Sequence, residues 1–289
     1  MTELRKRMTD DMVVRWMAKA TQEAYLAAVQ GLAKFYRRSP DQISDEEVQA
    51  YLLHLMRERK RAWNTCNIVV HGLRFFYHVT LKRDRTTFSI PGGRQPAKLP
   101  EILSRDEVAR VIAAGHTRKQ RALLATAYAT GLRVNELVHL TLTDLDAARG
   151  MIRVEQGKGA KDRYTILSPR LQDELRAYQT IYQPRGWLFP ARGGQHPMDT
   201  STVGKAYGEA KQRAGITKWG GIHALRHAFA THLLEMGVEL ATIQRLLGHR
   251  SIQTTMRYLH VAQSSVTVHG TPIELLSFPA LPSPGTVTG

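Results

Sequence analysis

The 289-residue chain has one cysteine, Cys66. A single thiol excludes an intramolecular disulfide and every zinc pattern that needs several cysteines, and Cys66 reads as a small buried hydrophobe. No run of eighteen apolar residues occurs, which argues against a membrane-spanning helix. The opening MTELRKRMTDD is too polar for a secretory signal. No Walker-type nucleotide loop is present. Acidic residues are scarce as well: 25 Asp and Glu face 41 Lys and Arg, for a net charge of +16. Charge of that sign favours a polyanionic partner, either nucleic acid or an anionic membrane surface, and without an apolar anchor the first is the better fit. Hydrophobic residues make up 43% of the chain, ordinary for a globular protein. The expected class is a soluble, cytoplasmic, nucleic-acid-associated protein with no membrane partner.

The excess charge is shared along the chain. Residues 1–100 carry 18 Lys and Arg against 10 Asp and Glu, net +8, which leaves +8 for residues 101–289. Two basic bodies gripping a duplex would show this distribution, although runs such as RKR at 5–7 and RERKR at 57–61 also suit solvated helix faces. The spacing of Tyr25, Leu26, Val29, Leu32 and Tyr36 predicts a helix over 11–37. Ser44 and Glu47 stand in capping-box register before a second helix, and a third is expected over about 63–81. The stretch RTTFSIPGGRQPAKLP, 85–100, has the composition of an extended connector. The expected organisation is therefore a helical domain over 1–84, a linker over 85–100, a second domain over 101–262 and a tail over 263–289.

The second domain opens on another capping box, Ser104 to Glu107. A helix, a TGLR turn and a further helix through Val134, Leu137, Val138 and Leu140 follow. The segment MIRVEQGKGAKDRYTILS alternates on both sides of a basic turn and predicts a hairpin. More helices are expected at about 169–181, 200–214, 223–236 and 239–247. The fold class is mainly α with a small antiparallel sheet.

Several polar residues are not required by folding. In HALRH, His223, Arg226 and His227 share a face opposite the Leu225, Phe229 and Leu233 stripe. Four-residue histidine spacing suits a metal, but a zinc-protease helix needs Glu where Ala224 stands, and Arg226 would set a permanent charge beside the ion. Anion binding fits better, since guanidinium and imidazole both donate to phosphate oxygens. The remaining alternative is a solvated polar helix face. Further candidates are Arg133 after the Gly131 turn, Lys158 and Lys161 at the hairpin tip, Arg163 beside them, His249 after Gly248, and Tyr258 nine residues later. Together they supply a nucleophile, several cations and a general acid, with neither a metal-ligand set nor a cofactor motif.

The segments GLRVNEL, GKGAKDR, HALRH, LLGH and RYLHVA, in that order and spacing, resemble the tyrosine recombinases, or phage-type integrases, of the Xer-like and integron-like branch. The likeness spans about 99–262, and the helical N-terminal part resembles the family's core-binding domain. The resemblance implies a two-domain DNA clamp in which Tyr258 attacks a backbone phosphorus and leaves a 3′-phosphotyrosyl link. Arg133 and Arg226 would clamp the non-bridging oxygens, His223 would act as acid/base, His249 would be a second phosphate donor, and Lys158 would protonate the leaving 5′-oxygen. Lys161 and Arg163 would be phosphate contacts. His227 has no catalytic role in the family and reads as structural, and Glu136 reads as a buried partner to a cation. The implied partners are double-stranded DNA sites with inverted repeats, and a homotetramer on paired sites in a bacterial nucleoid. No metal and no ATP are expected. A type IB topoisomerase-like enzyme and a catalytically silent DNA-binding protein are the alternatives. The Pro- and Gly-broken tail departs from the regular helix that couples subunits in many relatives.

Overall fold

The computed structural model describes residues 2–83, 88–89, 101–155 and 162–259. The chain divides into two compact units, Met1–Ala97 and Lys98–Gly289. The first holds helices α1 (Glu3–Val14), α2 (Lys19–Tyr36), α3 (Asp45–Arg57) and α4 (Trp63–Phe75), and α4 runs on into a π-helical turn at Phe76–Thr80. The single helix expected over 11–37 is two, because Trp16 adopts φ +53, a left-handed conformation that no helix interior accepts. The Ser44 hydroxyl accepts from the Glu47 N–H at 3.3 Å, and the Glu47 carboxylate accepts from the Ser44 N–H at 2.9 Å, so the capping box forms. Met8, Met12, Leu32, Val48, Leu52, Leu73 and Tyr77 make the core. Phe88, which composition assigns to the connector, is buried against Tyr77 with ring centroids 5.8 Å apart.

The second unit contains α5 (Arg105–Ala113), α6 (Arg118–Thr130), α7 (Val134–Val138), strands β1 (Leu145–Asp146), β2 (Met151–Val154) and β3 (Arg163–Ile166), then α8 (Pro169–Tyr182), α9 (Thr200–Arg213), α10 (His223–Glu235), α11 (Leu240–Leu247) and α12 (Ile252–Met256). The sheet is antiparallel in the order β1-β2-β3, with Val154 opposite Arg163 and Ile152 opposite Thr165. The period-2 pattern sends Ile152 and Val154 inward. The basic turn expected between β2 and β3 lies outside the described residues, as do nearly all of the proposed connector and the tail. Helix α7 ends at Val138, short of the Leu140 that the sequence pattern included.

Two core clusters meet around α10. Leu123, Leu137, Ile152, Leu171, Tyr178 and Leu225 form the larger, and Phe229, Ile243, Leu247 and Tyr258 form a smaller one under α11 and α12. Full burial of each such aliphatic side chain contributes about 1.5–3 kcal/mol, so the hydrophobic stripe of α10 fixes its rotation. On β3 the buried Thr165 hydroxyl donates to the Thr130 carbonyl at 2.9 Å and ties the sheet to the last residue of α6. Arg163, two residues away, points to the same face, and the turn after α6 carries Arg133.

Candidate functional site

Arg226 sits on the second turn of α10 and is 5% exposed, so the solvated polar face is the wrong description of it. Its Nη1 donates to the Gly131 carbonyl at 2.5 Å and its Nη2 to the Leu247 carbonyl at 2.7 Å. Burial, then the neighbouring Arg133, lowers its pKa to about 10, which still leaves it charged at neutral pH. Gly131 permits this approach. It caps α6 at φ +61, and a Cβ there would lie 2.3 Å from Phe229 Cδ1.

Arg133 is the N-cap of α7. Its Nη1 donates to Glu136 Oε1 at 2.9 Å and to the Leu247 carbonyl at 3.5 Å, and its Nη2 donates to the Gly248 carbonyl at 3.1 Å. Two guanidinium groups from different helices therefore converge on one carbonyl, and 40% of the Arg133 side chain stays open to solvent. Glu136, 6% exposed, holds this charge in place. It receives Nη1 and Nη2 of Arg163 at 2.9 and 2.7 Å, a bidentate pair, and also the Arg133 backbone N–H at 2.8 Å. Burial raises its pKa, but the Arg163 pair, then Arg133, outweighs that and brings it down to about 2. Arg163 also donates through Nε to the Leu246 carbonyl at 3.1 Å. The sequence offered it as a DNA contact; here its guanidinium is committed to Glu136 and Leu246, and it braces Arg133 from behind.

Tyr258 follows α12 and is 1% exposed. Its hydroxyl lies 2.9 Å from His227 Nδ1, and its ring stacks on His249 with centroids 6.5 Å apart and planes 12° apart. Burial raises the phenol's pKa, while Arg226, Arg257 and Arg133 pull it back down. His249 points Nδ1 at the Thr255 hydroxyl, 2.9 Å away. Burial, then Arg226 and Arg133, lowers its pKa to about 4, so its ring is neutral at pH 7. His223 opens α10 on the exposed side, and its pKa is lowered by desolvation, then by Arg226 and Arg133.

Arg133, His223, Arg226, His249 and Tyr258 are thus gathered at the junction of α6, α7, α10, α11 and α12. Lys158 and Lys161 lie outside the described residues. Three contributors escaped the sequence reading. Arg257 acts electrostatically on Tyr258, His227 and His249. Thr255 orients His249 from a six-residue separation that has no helical meaning. The carbonyls of Gly131, Leu247 and Gly248 anchor the arginines, and only the glycines at two helix ends hinted at them. A cluster of arginines with neutral imidazoles is suited to binding an oxyanion.

The phage integrase family model matches residues 101–265, and the phage integrase N-terminal SAM-like domain matches residues 4–87. The chain belongs to the phage integrase family: it is a tyrosine recombinase, an enzyme of DNA strand transfer. The y4qK protein of Sinorhizobium fredii, whose assigned role is integrase/recombinase, is 45% identical across 98% of this chain and 92% of its own length. The tyrosine recombinase XerC of Lactobacillus delbrueckii subsp. bulgaricus is 35% identical, covering 79% of this chain and 82% of that one. Among solved structures, a lambda integrase tetramer bound to a Holliday junction shares the fold at a TM-score of 0.69 and 20% identity, over 88% of this chain and 76% of that one.

Proposed function

We propose that the chain is a site-specific recombinase that cuts and rejoins two DNA duplexes through a 3′-phosphotyrosyl intermediate. Strand exchange passes through a Holliday junction, on a homotetramer assembled over paired sites with inverted repeats. The observation that carries this is the convergence of Arg133 and Arg226 on the Leu247 carbonyl beside Tyr258. Glu136 offsets only part of the positive charge that Arg133, Arg163 and Arg226 bring together, and a scissile phosphate is the anion that offsets the rest. The lambda integrase structure that shares the fold is itself a tetramer on such a junction.

In this proposal Tyr258 is the nucleophile, and Arg133 and Arg226 hold the non-bridging oxygens as charge builds on them. With its Nδ1 accepting from Thr255, His249 offers its Nε2–H to the same phosphate. His223 is the acid/base group at the open edge, Lys158 protonates the leaving 5′-oxygen, and Lys161 contacts the backbone. The domains act as a clamp: a core-binding domain over 1–84, a linker over 85–100, a catalytic domain over 101–262 and a tail over 263–289.

The test uses a duplex carrying the inverted repeats that flank the gene, nicked near the cleavage point so that the cut strand is lost. The wild type forms an adduct that survives SDS, and Tyr258→Phe forms none; an adduct in the Phe variant overturns the assignment. Arg226→Ala still retards the duplex in a gel but cleaves about 10²–10³-fold more slowly. EDTA leaves adduct formation intact.

A further inference from the structure

His223 opens α10, yet no side chain caps the start of that helix. Ile222, the residue before it, has no side-chain hydrogen bond to give, whereas Ser44, Ser104, Thr117, Ser168 and Asp199 cap α3, α5, α6, α8 and α9. An uncapped first turn leaves backbone N–H groups without partners and frays. Among the described residues the His223 imidazole has no hydrogen-bond partner either. Its place beside Arg226 and Arg133, which both act on its charge, therefore depends on the backbone that leads into it.

That backbone is tied down at Lys218. Its Nζ donates to Glu107 Oε2 at 2.6 Å and to the Ile102 carbonyl at 2.8 Å, and its own carbonyl accepts from Lys211 of α9. The next residue, Trp219, donates its backbone N–H to Glu101 Oε2 at 2.9 Å, while its indole is left in solvent and holds nothing. The segment then closes on the helix. A Cβ at Gly220 would lie 3.5 Å from that of Ala224, and the Gly221 carbonyl accepts from the Ala224 N–H at 2.8 Å. Glu107 is itself fixed, because Oε2 also accepts from the Ser104 N–H at 2.7 Å. Burial raises its pKa, but Lys218, then Ser104, outweighs that and lowers it, so the pair is charged at pH 7. Protein covers most of both side chains, which spares the pair much of the screening of a surface bridge.

We propose that Lys218 is a positioning residue for His223: by tying the segment before α10 to Glu107 and Ile102, it sets where the acid/base imidazole stands at the phosphate site. The inference rests on His223 being the acid/base group of strand cleavage. Lys218 touches no reacting atom and acts through the backbone of residues 219–222. A catalytic group displaced by about 1 Å through a distant change can cost about 100-fold in rate. Arg226 and Tyr258 have anchors of their own, the Gly131 and Leu247 carbonyls for the first and His227 for the second. Loss of the Lys218 tie therefore falls on His223.

The test is a double-mutant cycle, read as single-turnover adduct formation by the full chain on the nicked duplex described above, at pH 7. Lys218→Met keeps the aliphatic stem and removes the donors. It is expected to be about 10- to 100-fold slower than the wild type, with gel retardation of the duplex unchanged. His223→Gln is expected to be about 100-fold slower or more. Adding Lys218→Met to His223→Gln slows it by no more than about threefold further, since no imidazole is left to misplace. A Lys218→Met rate within about threefold of the wild type overturns the proposal. So does an equal loss in both backgrounds, which is what general damage to the fold would give. If Lys218→Met no longer retards the duplex, Glu107→Gln takes its place in the cycle under the same criteria. That variant leaves an acceptor for the Ser104 N–H and removes the charge that holds Lys218. A His223→Gln rate equal to the wild type would sink the acid/base assignment itself. A slow His223→Gln with additive losses would sink the Lys218 inference alone.

Discussion

Glu136 is a carboxylate almost cut off from water, and four N–H groups from Arg133 and Arg163 converge on it. Its folded pKa of about 2 lies below the ordinary 4.5, so the stability it contributes is complete above pH 4.5 and is lost as pH falls through 2. A shift of that size corresponds to about 3 kcal/mol. Glu136→Gln removes the charge and leaves Arg163 unpaired inside the protein, which costs about 3–5 kcal/mol. Urea unfolding of both chains at pH 7 should show that gap, and repeating it at pH 3 should show it narrowed, because only the wild type has a carboxylate to protonate. Equal stability at pH 7 would rule out Glu136 as the brace of the arginine pair. The acid was legible in the sequence as a buried partner to a cation. Its main partner was not, since Arg163 arrives from another element 27 residues away.

At the scale of elements, the legible parts were those whose signals are local. Both capping boxes form where Ser44 and Ser104 announced them, and the alternation of MIRV and RYTI places β2 and β3. What escaped were short pieces. β1 has two residues and α12 five, too few to display a period, and a lone left-handed Trp16 divides the first expected helix without any Gly or Pro to mark it. The turn after α6 makes the opposite point, because its glycine is demanded twice. Gly131→Ala meets both the left-handed strain of φ +61 and the Phe229 ring at 2.3 Å. Gly193→Ala meets strain at φ +96 with no atom within 4 Å. The first should lose about 2–5 kcal/mol and the second about 1–2 in denaturant melts. Because the Gly131 carbonyl holds Arg226, Gly131→Ala should also slow adduct formation, which Gly193→Ala should not. Similar losses in the two variants would show that backbone strain alone sets the requirement for glycine.

Across the whole molecule the order of five short motifs was enough to identify the family, because each is a local word that survives without its neighbours. The electrostatic division of labour needed the structure. Inside the second unit, Arg226 and Arg163 are turned inward and tied to carbonyls and to Glu136. They are therefore committed to the site, and the bulk grip on a duplex falls to exposed cations elsewhere. With a net charge of +16 split evenly between residues 1–100 and 101–289, both units should neutralise phosphates. Releasing counterions from about five or more phosphates gives a slope steeper than about −4 when log affinity is plotted against log salt. Fluorescence anisotropy of the full chain on a labelled duplex, at salt concentrations from 50 to 200 mM, measures that slope. Arg226→Ala should leave it unchanged, because a buried guanidinium replaces no condensed counterion until the phosphate has been drawn into the site. A slope shallower than about −2 would mean that the excess charge serves something other than a DNA clamp. A slope that fell with Arg226→Ala would mean that the cradle carries ground-state affinity as well as catalysis.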